Sequence, residues 1–167
     1  MPPFADNVSE AVEDFRRVAV LAGHSLILDD LREEICLRPH VPSPLPSGMM
    51  AVYAFFWNGR ALKVGKVGAK SGPRYVSQHY NHGSARSTLS GSILANPDRV
   101  GLERADAHSI GAWIKENTDR VNLILSASHG LEMLSLLEAF LHVRWKPVYE
   151  GRGATHGIQG EGGIERQ

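Results

Sequence analysis

A phenol, an ammonium and a guanidinium are drawn towards one end of a hairpin by the stretch Ala51 to Tyr80, AVYAFFWNGRALKVGKVGAKSGPRYVSQHY. Tyr53 precedes a turn and Lys63 follows it, each four to five residues from the Asn58-Gly59 pair. On neighbouring antiparallel strands their side chains can face one another. Arg74 comes next, behind Ser71 and Pro73, a capping hydroxyl and a first-turn proline that together open a helix. A guanidinium fork makes two bonds to a phosphate-like oxyanion, an ammonium adds charge beside it, and a phenol can take up a proton if nearby cations lower its pKa. Such a group can bind an anion and move a proton next to it.

The elements that must position these residues follow from local pattern. Asn58-Gly59 separates two apolar runs, Ala51 to Trp57 and Ala61 to Val67, and both turn residues tolerate positive φ, so the two runs are read as an antiparallel hairpin. Upstream, a helix opens at Asn7 or Ser9 and carries Val8, Val12, Phe15, Val18, Ala19 and Leu21 at helical spacing as far as Gly23. A second short helix is expected from Leu28 or Asp29 to Cys36, with Leu31, Ile35 and Leu37 as its apolar side. Residues 38–48, RPHVPSPLPSG, hold four prolines and read as a linker or surface loop. Docking on the core, dimerisation and partner binding are all open roles for the segment before it.

Downstream of the hairpin the pattern gives a helix from Gly72 to about Tyr80, then a polar loop, NHGSARS, that brings Ser84, Arg86 and Ser87 beside the basic hairpin. Short helices follow at Thr88 to Asn96 and at Ala107 to Asn117, the latter capped by Asp106. Arg120 to Ser126 reads as a buried strand. A last helix, about Gly130 to Trp145, places Leu131, Leu134, Leu137, Leu141 and Trp145 on one face and is ended by Pro147. The glycine-rich tail from Gly151 is expected to be mobile. The order predicts an α+β fold: a small, mostly antiparallel three-stranded sheet flanked by helices, with an N-terminal helical extension. The expected divisions are 1–38 (extension), 39–48 (linker), 49–150 (core domain) and 151–167 (tail).

The chain has 167 residues and zero formal charge, but the sign is unevenly spread: residues 1–39 run four in deficit of Lys and Arg, Arg60 to Arg104 six in excess, and Ala105 to Glu150 two in deficit. The local basic surface suits an anionic partner. Cys36 is the single cysteine, so no disulfide forms within the chain, and neither a secretory start nor a membrane-length apolar run is present; a cytoplasmic soluble protein is expected. Gly65 to Ser71 approaches a phosphate-binding loop, but its glycine spacing is one residue wrong. His79 and His82 have a metal-like spacing without the cysteines of a structural zinc site.

These residues resemble a known family. From Ala51 to Glu150 the chain resembles the GIY-YIG nucleases, whose core is a small, mostly antiparallel sheet flanked by helices. Ala51-Val52-Tyr53 stands where the family has Gly-Ile-Tyr, and Lys63-Val64-Gly65, ten residues on, where it has Tyr-Ile-Gly. Arg74 falls in the following helix, as the family's phosphate-facing arginine does. Glu138, nine residues before Pro147, is similar to the metal-binding glutamate ahead of a Pro-x-x-Asn ending. Lys63 replaces the second-motif tyrosine, as in some restriction endonucleases of this superfamily, and Glu150 replaces the terminal asparagine. The polar position one turn beyond the arginine falls at Gln78, with His79 beside it.

The resemblance implies a metal-dependent DNA endonuclease of a restriction or phage-defence system. Phosphodiester hydrolysis needs an aligned water, a proton acceptor, positive charge on the non-bridging oxygens and help for the leaving oxygen. Tyr53 is the expected proton acceptor and Lys63 its electrostatic support. Arg74 binds the phosphate, His79 is a further group for proton transfer or phosphate contact, and Glu138 holds Mg²⁺ or Mn²⁺. Lys66, Lys70, Gln78 and Arg86 are expected to contact nucleic acid. DNA is the implied partner, with a targeting protein or a homodimer supplying target choice. The alternative is a catalytically weakened nucleic-acid-binding or regulatory module that keeps the basic cleft.

Overall fold

The computed structural model describes residues 4–84 and 88–149, with the backbone only at 73–74. In chain order the elements are helix α1 (Ala5–Leu21), strands β1 (Leu31–Cys36), β2 (Met49–Trp57) and β3 (Arg60–Val67), helices α2 (Gly72–Val76), α3 (Leu89–Ala95) and α4 (Ile110–Asn117), strand β4 (Asp119–Ser126) and helix α5 (Gly130–Trp145). Single 3-10 turns stand at Pro97–Val100 and Ala127–His129. The fold is α+β, built on one antiparallel sheet in the order β1-β4-β2-β3.

The sheet therefore has four strands where the sequence pattern predicts three, because Leu31 to Cys36 pairs with β4 instead of forming a helix. Leu31 and Ile35 are four apart, a spacing that fits a helix face and a strand face equally well over six residues. Tertiary pairing decides between them. The N-terminal segment docks on the core: Val8, Ala11, Phe15 and Ala19 of α1 are fully buried in one cluster with β2 and α5. Phe4 stacks on Phe56 at 5.0 Å, Arg144 of α5 reaches Asp14 at 2.5 Å, and Trp145 donates to Asn7 at 2.9 Å. Burying a side chain such as Phe15 contributes roughly 1.5 to 3 kcal/mol.

Strand alternation sends the two faces of β2 to different layers. Met50, Val52, Ala54 and Phe56 pack under α1 and α5, whereas Ala51, Tyr53 and Phe55 lie under the helices between β3 and β4, with Tyr75, Leu89, Ile93, Ile110 and Ile114. Asn58 and Gly59 take positive φ, 49° and 76°, as their hairpin turn requires. Trp57 pairs with Arg60 and Phe56 with Ala61, but Phe55 pairs with Lys63, so Leu62 is the extra residue of a β-bulge.

The later elements follow the sequence pattern with altered ends. Thr88 caps α3 by accepting from Gly91 N–H at 3.0 Å. Asp106 accepts from His108 and Ser109 N–H groups, and the helix it precedes starts at Ile110, not at Ala107. The helix after the hairpin stops at Val76 and residues 77–80 continue as turns, with the Tyr75 carbonyl accepting from Arg120 Nη2 at 2.7 Å. After α5 the chain crosses the outer edge of β3: the Val148 and Tyr149 N–H groups donate to the Ala61 and Leu62 carbonyls at 3.0 and 2.8 Å. Among the described residues no helix is long and apolar enough to cross a membrane. Arg86, Glu150 and the tail 151–167 lie outside the described residues.

Candidate functional site

The helix-covered face of the sheet carries two rows of side chains set by strand register. One row runs Glu34, Asn122, Tyr53, Gly65; the next runs Cys36, Arg120, Phe55, Lys63. Tyr53 is thus opposite Gly65, and Lys63 is opposite Phe55. The direct facing of Tyr53 and Lys63 expected from the turn is replaced by a diagonal relation on one face, since the bulge shifts the ladder by a residue.

Tyr53 is fully buried, and its ring covers Gly65: a Cβ there would lie 2.7 Å from the Tyr53 hydroxyl. Only glycine leaves room for the ring. The phenol oxygen meets His79 Nε2 at 2.5 Å, and His79 Nδ1 accepts from the Leu89 N–H at 3.2 Å. An imidazole that accepts at Nδ1 carries its proton on Nε2 when neutral, so Nε2–H donates to the phenol oxygen. A donor aimed at that oxygen favours its anionic form. Lys63, 5% exposed, directs its ammonium to the Tyr149 carbonyl at 3.4 Å, beneath the segment that crosses β3.

Arg120, also fully buried, stands next to this pair. Its Nε donates to Asn122 Oδ1 at 2.8 Å, Nη1 to the Tyr80 hydroxyl at 3.2 Å and Nη2 to the Tyr75 carbonyl at 2.7 Å. The guanidinium lies over the Tyr75 ring at 4.5 Å and within 5.4 Å of the Tyr53 ring centre. Asn122 passes the contact on, donating to Glu34 at 2.8 Å. Tyr80 meets His40 Nε2 at 2.8 Å, and His40 Nδ1 meets the Thr118 carbonyl at 2.8 Å. That carbonyl can only accept, so Nδ1 carries the imidazole proton and Tyr80 donates to Nε2.

Burial governs the titration of this cluster. It holds His40 below the usual histidine range and Tyr80 above the usual tyrosine range, and it pushes Tyr75 up to about 12 against the pull of Arg120. The Tyr75 hydroxyl has no hydrogen-bond partner among the described residues.

Three of the residues singled out in the sequence, Tyr53, Lys63 and His79, are brought together on one face. Glu138 belongs to the other. It stands on α5 and pairs with Lys66 at 2.8 Å, and Lys66 also donates to Ser135 at 3.0 Å. Lys66 shares its strand face with Val64, on the α1 and α5 side. Arg74 lies in α2 with its side chain outside the described residues. Gln78 is half-buried in the following turn and its carbonyl accepts from Ser84, while Lys70 is exposed between β3 and α2. Glu138 offers a hard oxygen donor, and one carboxylate completed by water and phosphate oxygens suits Mg²⁺ or Mn²⁺. Among the described residues no three His, Cys, Asp or Glu side chains gather into a metal-binding group.

Sequence reasoning missed Arg120, Asn122, Glu34, Tyr80 and His40. A signal for two of them is present: in the strand DRVNLILS, Arg120 and Asn122 alternate with Val121 and Leu123, so one face of an otherwise apolar strand is polar. His40 stands among prolines, and nothing in its neighbourhood announces a buried contact. Scans against known protein families, curated proteins and solved structures found no match for this chain.

Proposed function

We propose that this chain is a metal-dependent endonuclease that hydrolyses DNA phosphodiester bonds, with Tyr53 as the group that takes the proton of the attacking water. The observation that carries the reading is the 2.5 Å contact of Tyr53 with His79 on the face that also holds Lys63. A phenol oxygen that receives an N–H and lies among cations is prepared to become a phenolate, the form a proton acceptor needs. Lys63 supports that charge, and Arg74 is the phosphate-binding guanidinium on this reading. Lys66, Lys70, Gln78 and Arg86 would follow the nucleic-acid backbone.

Glu138 would hold the Mg²⁺ or Mn²⁺, which supplies positive charge to the phosphate and to the leaving oxygen. Glu138 and Tyr53 stand on opposite faces, but β3 is an edge strand, so a phosphate addressed by both would lie around that edge. Target choice would come from a partner protein or a second copy of the chain. A restriction or phage-defence role in the cytoplasm fits this activity, and a lone Cys36 whose thiol burial holds protonated fits a reducing compartment.

The competing reading, a nucleic-acid-binding module without cleavage, draws on one observation: Tyr53, Lys63 and His79 are 0, 5 and 3% exposed. Incubating the purified protein with supercoiled plasmid in Mg²⁺ or Mn²⁺, with and without EDTA, separates the two. Nicked or linear product that EDTA abolishes supports the enzyme. Plasmid that is bound yet stays supercoiled in both metals sinks it in favour of the module.

A further inference from the structure

We infer that Arg120 is the positioning residue of this site: its guanidinium fixes the 75–80 segment so that His79 meets Tyr53, and it sets a positive charge against the Tyr53 ring. The inference rests on reading Tyr53 as the proton acceptor.

Burying a guanidinium is costly unless its donors are met, and Arg120 meets them with the groups that shape the site. Nη2 takes the Tyr75 carbonyl and Nη1 the Tyr80 hydroxyl, so one rigid fork grips both ends of the segment that carries His79. Nε takes Asn122, the register partner of Tyr53. Without the fork, the Tyr75 carbonyl and the Tyr80 hydroxyl lose the group that ties both to β4, and the turn carrying His79 loses that tether.

The groups facing Tyr53 come from every element packed on it. Lys63 is on β3 and Arg120 on β4. Tyr75, His79 and Tyr80 come from α2 and its turn, and Arg74 stands in α2 with its side chain outside the described residues. Glu34 and Cys36 of β1 stand one strand further out, beyond Asn122 and Arg120, while Asp119 of β4 is held by Arg38 and His40 by Tyr80. The Arg120 guanidinium lies over the Tyr75 and Tyr53 rings, at 4.5 and 5.4 Å, and full burial leaves little water to screen it.

The test follows the tyrosines by NMR of ring-labelled protein, with Tyr53→Phe identifying the Tyr53 signal. Wild-type Tyr53 is expected to ionise below Tyr75 and Tyr149, both of which burial raises to about 12. In Arg120→Gln its midpoint should move up by about one pH unit or more, the scale of a lost neighbouring charge, and the alkaline limb of any cleavage profile should move with it. Arg120→Lys, which keeps the charge but not the fork, should retain the midpoint better than it retains the His79 contact. A folded Arg120→Gln with an unmoved Tyr53 midpoint overturns the inference. If that variant does not fold, wild-type Tyr53 titrating together with Tyr75 and Tyr149 overturns it equally. Absence of DNA cleavage by the wild type would sink the nuclease reading and leave the titration result standing.

Discussion

Tyr53 and Lys63 share a face of the sheet only because the ladder slips by one residue between Phe55 and Phe56. Had the hairpin continued the register of Trp57 with Arg60, Tyr53 would stand opposite Val64, and Lys63 would point under α5 with the apolar core. Leu62, the extra residue of the bulge, turns Lys63 to the other side. The juxtaposition of phenol and ammonium is thus a property of one irregular residue.

Tyr53→Phe keeps the ring over Gly65 and removes the oxygen that His79 meets, so cleavage should fall at least a hundredfold with little change in fold, on the order expected for a lost general base. Lys63→Arg, which preserves charge, should retain part of the activity. Plasmid-nicking rates across pH check both, and the wild-type rate should rise towards alkaline pH as the phenol ionises. Near-normal cleavage by Tyr53→Phe would transfer the role to Lys63.

Gly65→Ala would place a methyl 2.7 Å from the Tyr53 hydroxyl and 2.9 Å from its ring carbon. The ring has nowhere to retreat in a face packed by Phe55, Tyr75 and His79. The expected loss is about 1 to 3 kcal/mol in urea unfolding, together with a lower cleavage rate. Unchanged stability would mean the ring moves freely.

On the nuclease reading, Glu138→Gln should abolish metal-dependent cleavage while leaving DNA affinity equal or higher, since it removes a negative charge that would lie near the phosphate. Stability should change by less than about 1 kcal/mol, because the Lys66 pair is partly exposed. Retained cleavage in this variant, measured with and without EDTA, removes Glu138 from the metal.

His40 is buried as the neutral imidazole, and burial depresses its pKa below the ordinary value. A depressed folded-state value means stability is fully present above about 6.5, the ordinary histidine pKa, and is lost as pH falls through the folded value. Urea midpoints should therefore decline below pH 6.5. His40→Gln should be less stable at pH 7 and show a shallower decline. Parallel pH curves for the two proteins would assign the acid loss to other groups.

A chain beginning at residue 39 should not fold, since it loses Val8, Phe15 and Leu31 from the core and the partner strand of β4. Circular dichroism and thermal melting check this. A cooperative transition in the shortened protein would restore the N-terminal segment as a separable extension.

How much was legible in the sequence varies with the range of the signal. The Asn58-Gly59 hairpin, the short helix after Thr88 and the span of the last helix depend on neighbours in sequence, and the structure bears them out, although Leu131, expected on the apolar face of that helix, is exposed. Leu31 to Cys36 reads as a helix in the sequence because six residues do not separate a period of 2 from one of 3.6, and the pairing with β4 that makes it a strand spans most of the chain. The placing of Tyr53 and Lys63 on one face needed a bulge that no turn chemistry announces. The tie between α2 and β4 rests on Arg120, forty-five residues beyond Tyr75, reaching a backbone carbonyl that no local pattern points to.

The segment that crosses the rim of β3 has a consequence for how the protein behaves among its own copies. An edge strand with idle carbonyls is a template for another chain's strand, and such edges seed association. Val148 and Tyr149 occupy the Ala61 and Leu62 carbonyls from outside, and they are pinned there by Arg99 on the Val148 carbonyl and by the Tyr149 hydroxyl on the Asn96 carbonyl. Loosening that pinned strip would uncover the sticky margin, so the chain's resistance to self-association along this strand rests on two residues and the two side-chain bonds that hold them.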